Sequence, residues 1–113
     1  RMDGRYVLDT TEIIEAVYLA KAEHPLPDIA ASAQQAIARG LCEMAVKAAK
    51  DAGIGTIGFS GGVAYNDAIV GTARNFAEEE GFEFIVHSKV PCGDGGISLG
   101  QAVIGANFNP SKV

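Results

Sequence analysis

Cysteine is scarce. Cys42 and Cys92 lie far apart, with no Cys-x-x-Cys pair and no histidine at ligand spacing, which argues against a zinc ribbon or a disulfide framework. Lysine and arginine form no run, and 9 basic residues face 14 acidic ones for a net charge of -5. A nucleic-acid backbone is therefore a poor main partner. No apolar stretch approaches the roughly 20 residues of a membrane span, and no signal-peptide pattern opens the chain. The expected compartment is the cytoplasm. A Gly-x-Ser-x-Gly elbow, a Ser-His-Asp set and a second catalytic carboxylate cannot be assembled.

What is present reads as a globular α/β chain. With 48% hydrophobic residues and 14 glycines among 113, it is long enough to bury a core and short enough to be one domain or one lobe, residues 1–113. It opens on Arg1, which leads us to expect a piece of something longer.

Arg5-Tyr6-Val7-Leu8 is a short β-like run, and Asp9 with Glu12 has capping-box spacing, so a helix is expected from there to about Glu23 with Ile13, Ile14, Val17 and Tyr18 on its apolar face. His24-Pro25-Leu26-Pro27 breaks the chain. Pro27 and Asp28 suit the start of a second helix running to Asp51, with the stripe Ile29, Ala33, Ile37, Leu41, Met44, Ala48. Cys42 reads as a small core residue of this helix. Gly40 inside it is costly unless a neighbour needs the room. Gly53 ends it, and Ile54 to Phe59 reads as a buried strand. A third helix starts near Asn66 with Ile69, Val70, Ala73, Phe76 and Ala77 inward, and its end, Glu78-Glu79-Glu80, is a solvated acidic run. Phe82 to Val86 is the second strand. A last helix spans 95 to about 106, with Ile97, Val103 and Ile104 expected inward.

This order is a right-handed βαβ unit with an extra helix. Parallel strands end on the same side, so two glycine corners, Ser60-Gly61-Gly62-Val63 and Gly93-Asp94-Gly95-Gly96, are expected together at the sheet edge where open α/β sheets bind ligands. Neither corner has GxxxxGK[ST] or GxGxxG spacing. Even so, the pair carries parts for a nucleotide: backbone donors, the Ser60 hydroxyl, the Asn66 amide, and a carboxylate at Asp94 that could hold a divalent cation. A plain structural reading accounts for the same residues, with Asp94 and Asn66 as helix caps and the glycines as tight turns. Cys92 is either a turn filler or a reactive thiol. His24 and His87 read as isolated loop histidines.

Phe59-Ser60-Gly61-Gly62-Val63-Ala64-Tyr65-Asn66, followed by Val90-Pro91-Cys92-Gly93-Asp94-Gly95-Gly96-Ile97-Ser98-Leu99-Gly100-Gln101-Ala102, resembles the C-terminal end of the HypF hydrogenase-maturation carbamoyltransferases, relatives of the tRNA threonylcarbamoyl transferases. The likeness covers residues 28 to 106. It implies the C-terminal lobe of the fold shared by actin, sugar kinases and heat-shock chaperones (ribonuclease H-like). It also implies a nucleotide against Ser60, Gly61, Gly62, Val63 and Asn66, and a divalent metal (zinc, iron or magnesium) on Asp94. The implied chemistry forms carbamoyl adenylate from carbamoyl phosphate and ATP. The carbamoyl group then passes to the C-terminal cysteine of a HypE-like acceptor, as precursor of a cyanide ligand of nickel-iron hydrogenase. The family pattern has Arg where Asp67 stands and often Asn where Gly93 stands. Its pair of metal-binding histidines belongs to the other, N-terminal lobe of the same domain. The 113-residue lobe alone is thus expected to be inactive and to self-associate through the face that lobe would cover. Two rival readings are a nucleotide-binding or partner-docking module without catalysis, and an interaction domain whose glycine corners are structural.

Overall fold

The computed structural model of the chain describes residues 5–107. In order come α1 (Thr11–Ala20), α2 (Leu26–Ala52), β1 (Thr56–Phe59), α3 (Asp67–Glu79), β2 (Glu83–Val86) and α4 (Ile97–Asn107). Short 3₁₀ turns at Gly62–Tyr65 and Asp94–Gly96 precede α3 and α4.

Asp9 does tie down the start of the first helix, though as a residue outside it. Its carboxylate accepts from the Thr11 N–H at 2.9 Å, and that bond holds its carboxyl below the usual carboxylate range. Helix α1 therefore starts at Thr11 and stops at Ala20, short of Glu23, where the Glu23 and His24 N–H groups turn back onto the Ala20 carbonyl. The expected apolar face divides: Ile13 and Val17 are half-buried and line an apolar groove of about 450 Å³ against α2, while Ile14 and Tyr18 are exposed. Arg5-Tyr6-Val7-Leu8 forms no strand and carries one isolated bridge at Arg5.

Pro25 caps α2 and Pro27 sits in its first turn, where a missing N–H costs nothing. At the far end Gly53 takes φ +67°, its N–H bonding the Lys50 carbonyl while the Ile54 N–H reaches Ala49. A left-handed residue there favours glycine. The buried side of α2 is Ile29, Ala38, Cys42, Val46 and Ala49, which keeps the expected Ile29 and then turns one or two positions on from the expected stripe. Ile37 and Leu41 instead stand 38% and 40% exposed. Close packing is the reason: small side chains let α2 approach α3 and the sheet, and Cys42 donates its thiol to the Ala73 carbonyl at 3.1 Å. Gly40 makes room for the N-terminal segment. A Cβ there would lie 2.6 Å from Leu8 Cδ1.

Strands β1 and β2 pair in parallel, Thr56 opposite Glu83 through Phe59 opposite Val86. Among the described residues the sheet has these two strands only. Alternation sends Ile57 and Phe84 into one core with Cys42, Val46, Ala49, Ala73, Ala77 and Phe82. Gly58 and Ile85, opposite one another, lie on the other, exposed side. The spacing Gly53-x-Gly55-x-x-Gly58 ends a helix and enters a strand, the reverse of the strand-to-helix order a dinucleotide loop requires.

Asn66 caps α3, its Oδ1 accepting from the Ala68 and Ile69 N–H groups at 3.1 and 3.2 Å. The acidic run after it is exposed and partly paired: Glu78 meets Arg74 and Glu80 meets Lys50. Helix α4 departs from expectation. None of its residues is buried, and Val103 and Ile104 are 54% and 70% exposed. Its main packing among the described residues is against the 3₁₀ turn that precedes it.

Candidate functional site

The two glycine corners meet. Parallel register ends β1 at Phe59 opposite Val86, so Ser60 and His87, the next residue on each strand, emerge side by side. The Ser60 hydroxyl lies 2.9 Å from His87 Nε2 and donates to the Cys92 carbonyl at 3.2 Å. That carbonyl also accepts from the Gly61 N–H at 2.8 Å. Gly61 holds φ +102° and ψ 175°, a backbone setting that side chains other than glycine rarely adopt. Its turn thereby delivers Gly62–Tyr65 as the 3₁₀ turn leading into α3.

The second corner is tighter still. A Cβ at Gly96 would lie 2.5 Å from the Pro91 carbonyl oxygen, and one at Gly93 would lie 2.9 Å from Tyr65 Cε2. Tyr65, from the first corner, thus occupies the space that a side chain at position 93 would need.

Asp94 stands exposed at the start of the second 3₁₀ turn, and its side chain makes no cap hydrogen bond. The expectation that it could serve as an N-cap is therefore corrected. Gly93 occupies the cap position, and its carbonyl accepts from the Gly96 N–H at 2.9 Å. A carboxylate so placed is a sound oxygen ligand for a hard cation. Among the described residues no group of three His, Cys, Asp or Glu side chains gathers round a common point.

Of the two roles read for Asn66 from the sequence, the structure shows the cap. Its carbonyl oxygen is taken by the cap, and its amide donates to Gln34 Oε1 at 3.2 Å. A nucleotide using that amide would displace Gln34. Val63 is exposed beside it. Cys92 is a half-buried free thiol whose backbone carbonyl joins the corners, and burial pushes the Cys42 thiol up.

Three residues of this corner escaped the sequence reading: His87, Gln34 and Tyr65. For His87 a signal existed, since the residue after each strand of a parallel pair must emerge at the same edge. Gln34 and Tyr65 depend on how α2 and the 3₁₀ turn dock, which no spacing encodes. The apolar α1–α2 groove contains none of the corner residues.

A family model described as carbamoyltransferase, Kae1-like domain, second subdomain, matches residues 1–101. A probable carbamoyltransferase HypF of Methanocaldococcus jannaschii is 47% identical over 98 residues, covering 86% of this chain and 13% of that protein. A tRNA N6-adenosine threonylcarbamoyltransferase of Acaryochloris marina is 35% identical over 82 residues, covering 73% of this chain and 23% of the relative. The crystal structure of T. kodakarensis HypF superposes with a TM-score of 0.79 at 33% identity, over 93% of this chain and 15% of that one. The chain therefore spans a small part of the length of the proteins it matches. Its parallel pair and helices are the ribonuclease H-like lobe expected from the sequence. The chain belongs to the HypF carbamoyltransferase family, as the second subdomain of its Kae1-like domain.

Proposed function

We propose that the chain is the C-terminal lobe of a cytoplasmic carbamoyltransferase that forms carbamoyl adenylate from carbamoyl phosphate and ATP. The carbamoyl group is then handed to the C-terminal cysteine of a HypE-like acceptor for nickel-iron hydrogenase cyanide synthesis. The observation that carries the reading is the fusion of the two corners: Gly61 N–H and Ser60 Oγ both bond the Cys92 carbonyl, two residues before the exposed carboxylate of Asp94. In a member of this family, that edge suits a nucleotide and a cation side by side.

In this reading Ser60, Gly61, Gly62, Val63 and Asn66 seat the adenylate. Backbone N–H groups of the first turn face the anionic part, and the tight glycine backbone lets the ligand approach without side-chain interference. Asp94 would hold a divalent metal together with histidines from the N-terminal lobe of the same domain. When bound, such an ion would neutralise phosphate charge and polarise a carbonyl. Asp94 contributes negative charge and an oxygen donor at the start of a 3₁₀ turn in which Gly96 lies too close to the Pro91 carbonyl to admit a side chain.

The test is carbamoyl-phosphate-dependent ATP cleavage by the full-length protein containing this lobe. Asp94→Ala should lower the rate about a hundredfold or more, the scale of the several kcal/mol a metal ligand supplies, with the melting temperature little changed. Wild-type turnover by a folded Asp94→Ala protein would falsify the assignment. ATP binding without any carbamoyl-phosphate-dependent cleavage in the intact wild-type protein would favour a nucleotide-binding or docking module instead.

A further inference from the structure

We infer that His87 is a positioning residue that, with the Cys92 carbonyl, commits the single proton of the Ser60 hydroxyl within the protein, so that Ser60 meets the nucleotide only as a hydrogen-bond acceptor. The inference rests on the nucleotide seat proposed above and adds what part of the nucleotide Ser60 recognises. A serine hydroxyl has one proton and two lone pairs. Here it has two protein partners, His87 Nε2 at 2.9 Å and the Cys92 carbonyl at 3.2 Å.

Two proton arrangements are open, of which the first satisfies both contacts and the second gives the serine proton to His87 alone. If Nε2 carries a proton, the imidazole donates to Ser60 Oγ and Ser60 donates to the Cys92 carbonyl. If Nε2 is bare, it takes the Ser60 proton itself, and the carbonyl keeps its bond from the Gly61 N–H at 2.8 Å. In each case the serine proton is spent on the protein and at least one lone pair is left over. Phosphate oxygens offer no donor, so a hydroxyl in this state gains nothing from facing them. What it can bind is a donor group of the nucleoside, either a ribose hydroxyl or the adenine amino group. The backbone N–H groups of the neighbouring turn remain for the anion. Because His87 follows β2 as Ser60 follows β1, the parallel register itself builds this arrangement.

The experiment is a set of dissociation constants measured calorimetrically on the full-length protein for ATP, 2′-deoxy-ATP, 3′-deoxy-ATP and purine riboside triphosphate, which lacks the amino group. Wild type should bind one analogue roughly 3- to 10-fold more weakly than ATP, the scale of one hydrogen bond. The analogue that loses affinity tells ribose from base. That discrimination should vanish in Ser60→Ala, shrink in His87→Ala, and survive in His87→Gln, whose amide can still donate or accept at that distance. His87 is exposed, so its variants should melt as wild type does. If Ser60→Ala weakens ATP but wild type distinguishes none of the analogues, the acceptor role is overturned while the nucleotide seat stands. If His87→Ala keeps wild-type discrimination, His87 does not act through Ser60. If Ser60→Ala leaves ATP affinity unchanged, the seat itself fails and takes this inference with it.

Discussion

Gly96 and Gly93 both lack room for a side chain, yet the obstacles differ in kind. At Gly96 the obstacle is the Pro91 carbonyl, a backbone atom that moves only if the corner opens; at Gly93 it is the ring of the exposed Tyr65, which can swing away. Gly96→Ala should therefore destabilise by about 1–3 kcal/mol, the usual cost of overpacking a rigid site, and Gly93→Ala by less than about 0.5 kcal/mol, as for a surface change. Chemical denaturation of the two variants decides the matter, and equal losses would mean that Tyr65 is as fixed as the backbone. The glycines, Ser60, Asn66 and Asp94 were legible in the sequence as a corner because turn chemistry is local. The partner relations of His87, Gln34 and Tyr65 were not, since each is set by docking between segments far apart in the chain.

Helix α2 was legible in extent but not in orientation. Periodicity selects the bulkiest apolar residues, here Ile37 and Leu41, whereas the close approach of α3 and the sheet selects Ala38, Cys42, Val46 and Ala49. A hydrophobic pattern reports that a face is covered without saying by what, and the same blindness put Val103 and Ile104 of α4 inward. Strands β1 and β2 and helix α3 came through because a cap at Asn66, glycine turns and β-rich runs mark their ends directly. Gly40 offers a test of how firmly the N-terminal segment is held on α2. Replacing glycine by alanine inside a helix gains about 1 kcal/mol, but here the new Cβ would drive into Leu8. Gly40→Ala alone should show little or no gain in unfolding free energy, and the same change in a Leu8→Ala background should recover about 1 kcal/mol. An equal gain in both backgrounds would mean that Leu8 does not use the space.

The molecule as a whole is long and incompletely covered. Its Cα radius of gyration is 17.7 Å, against roughly 13 Å for a compact domain of this length, and α1, the outer side of α2, and α4 present apolar side chains to solvent. Such surface is what a lobe keeps for a neighbour. The separated 113-residue chain should accordingly form dimers or larger species as its concentration rises, reducing the exposed area of Ile37, Leu41 and Ile104. Light scattering that returns 11.7 kDa at every concentration would count against this. Turnover by that same separated chain would contradict the proposed sharing of a metal site between lobes. The shape bears on how these species reveal themselves. A particle with extents of 63 × 31 × 26 Å drags more solvent than a sphere of its mass. Even a single copy will sediment more slowly and leave a sizing column earlier than a sphere of its mass, so mass rather than elution volume distinguishes one lobe from two.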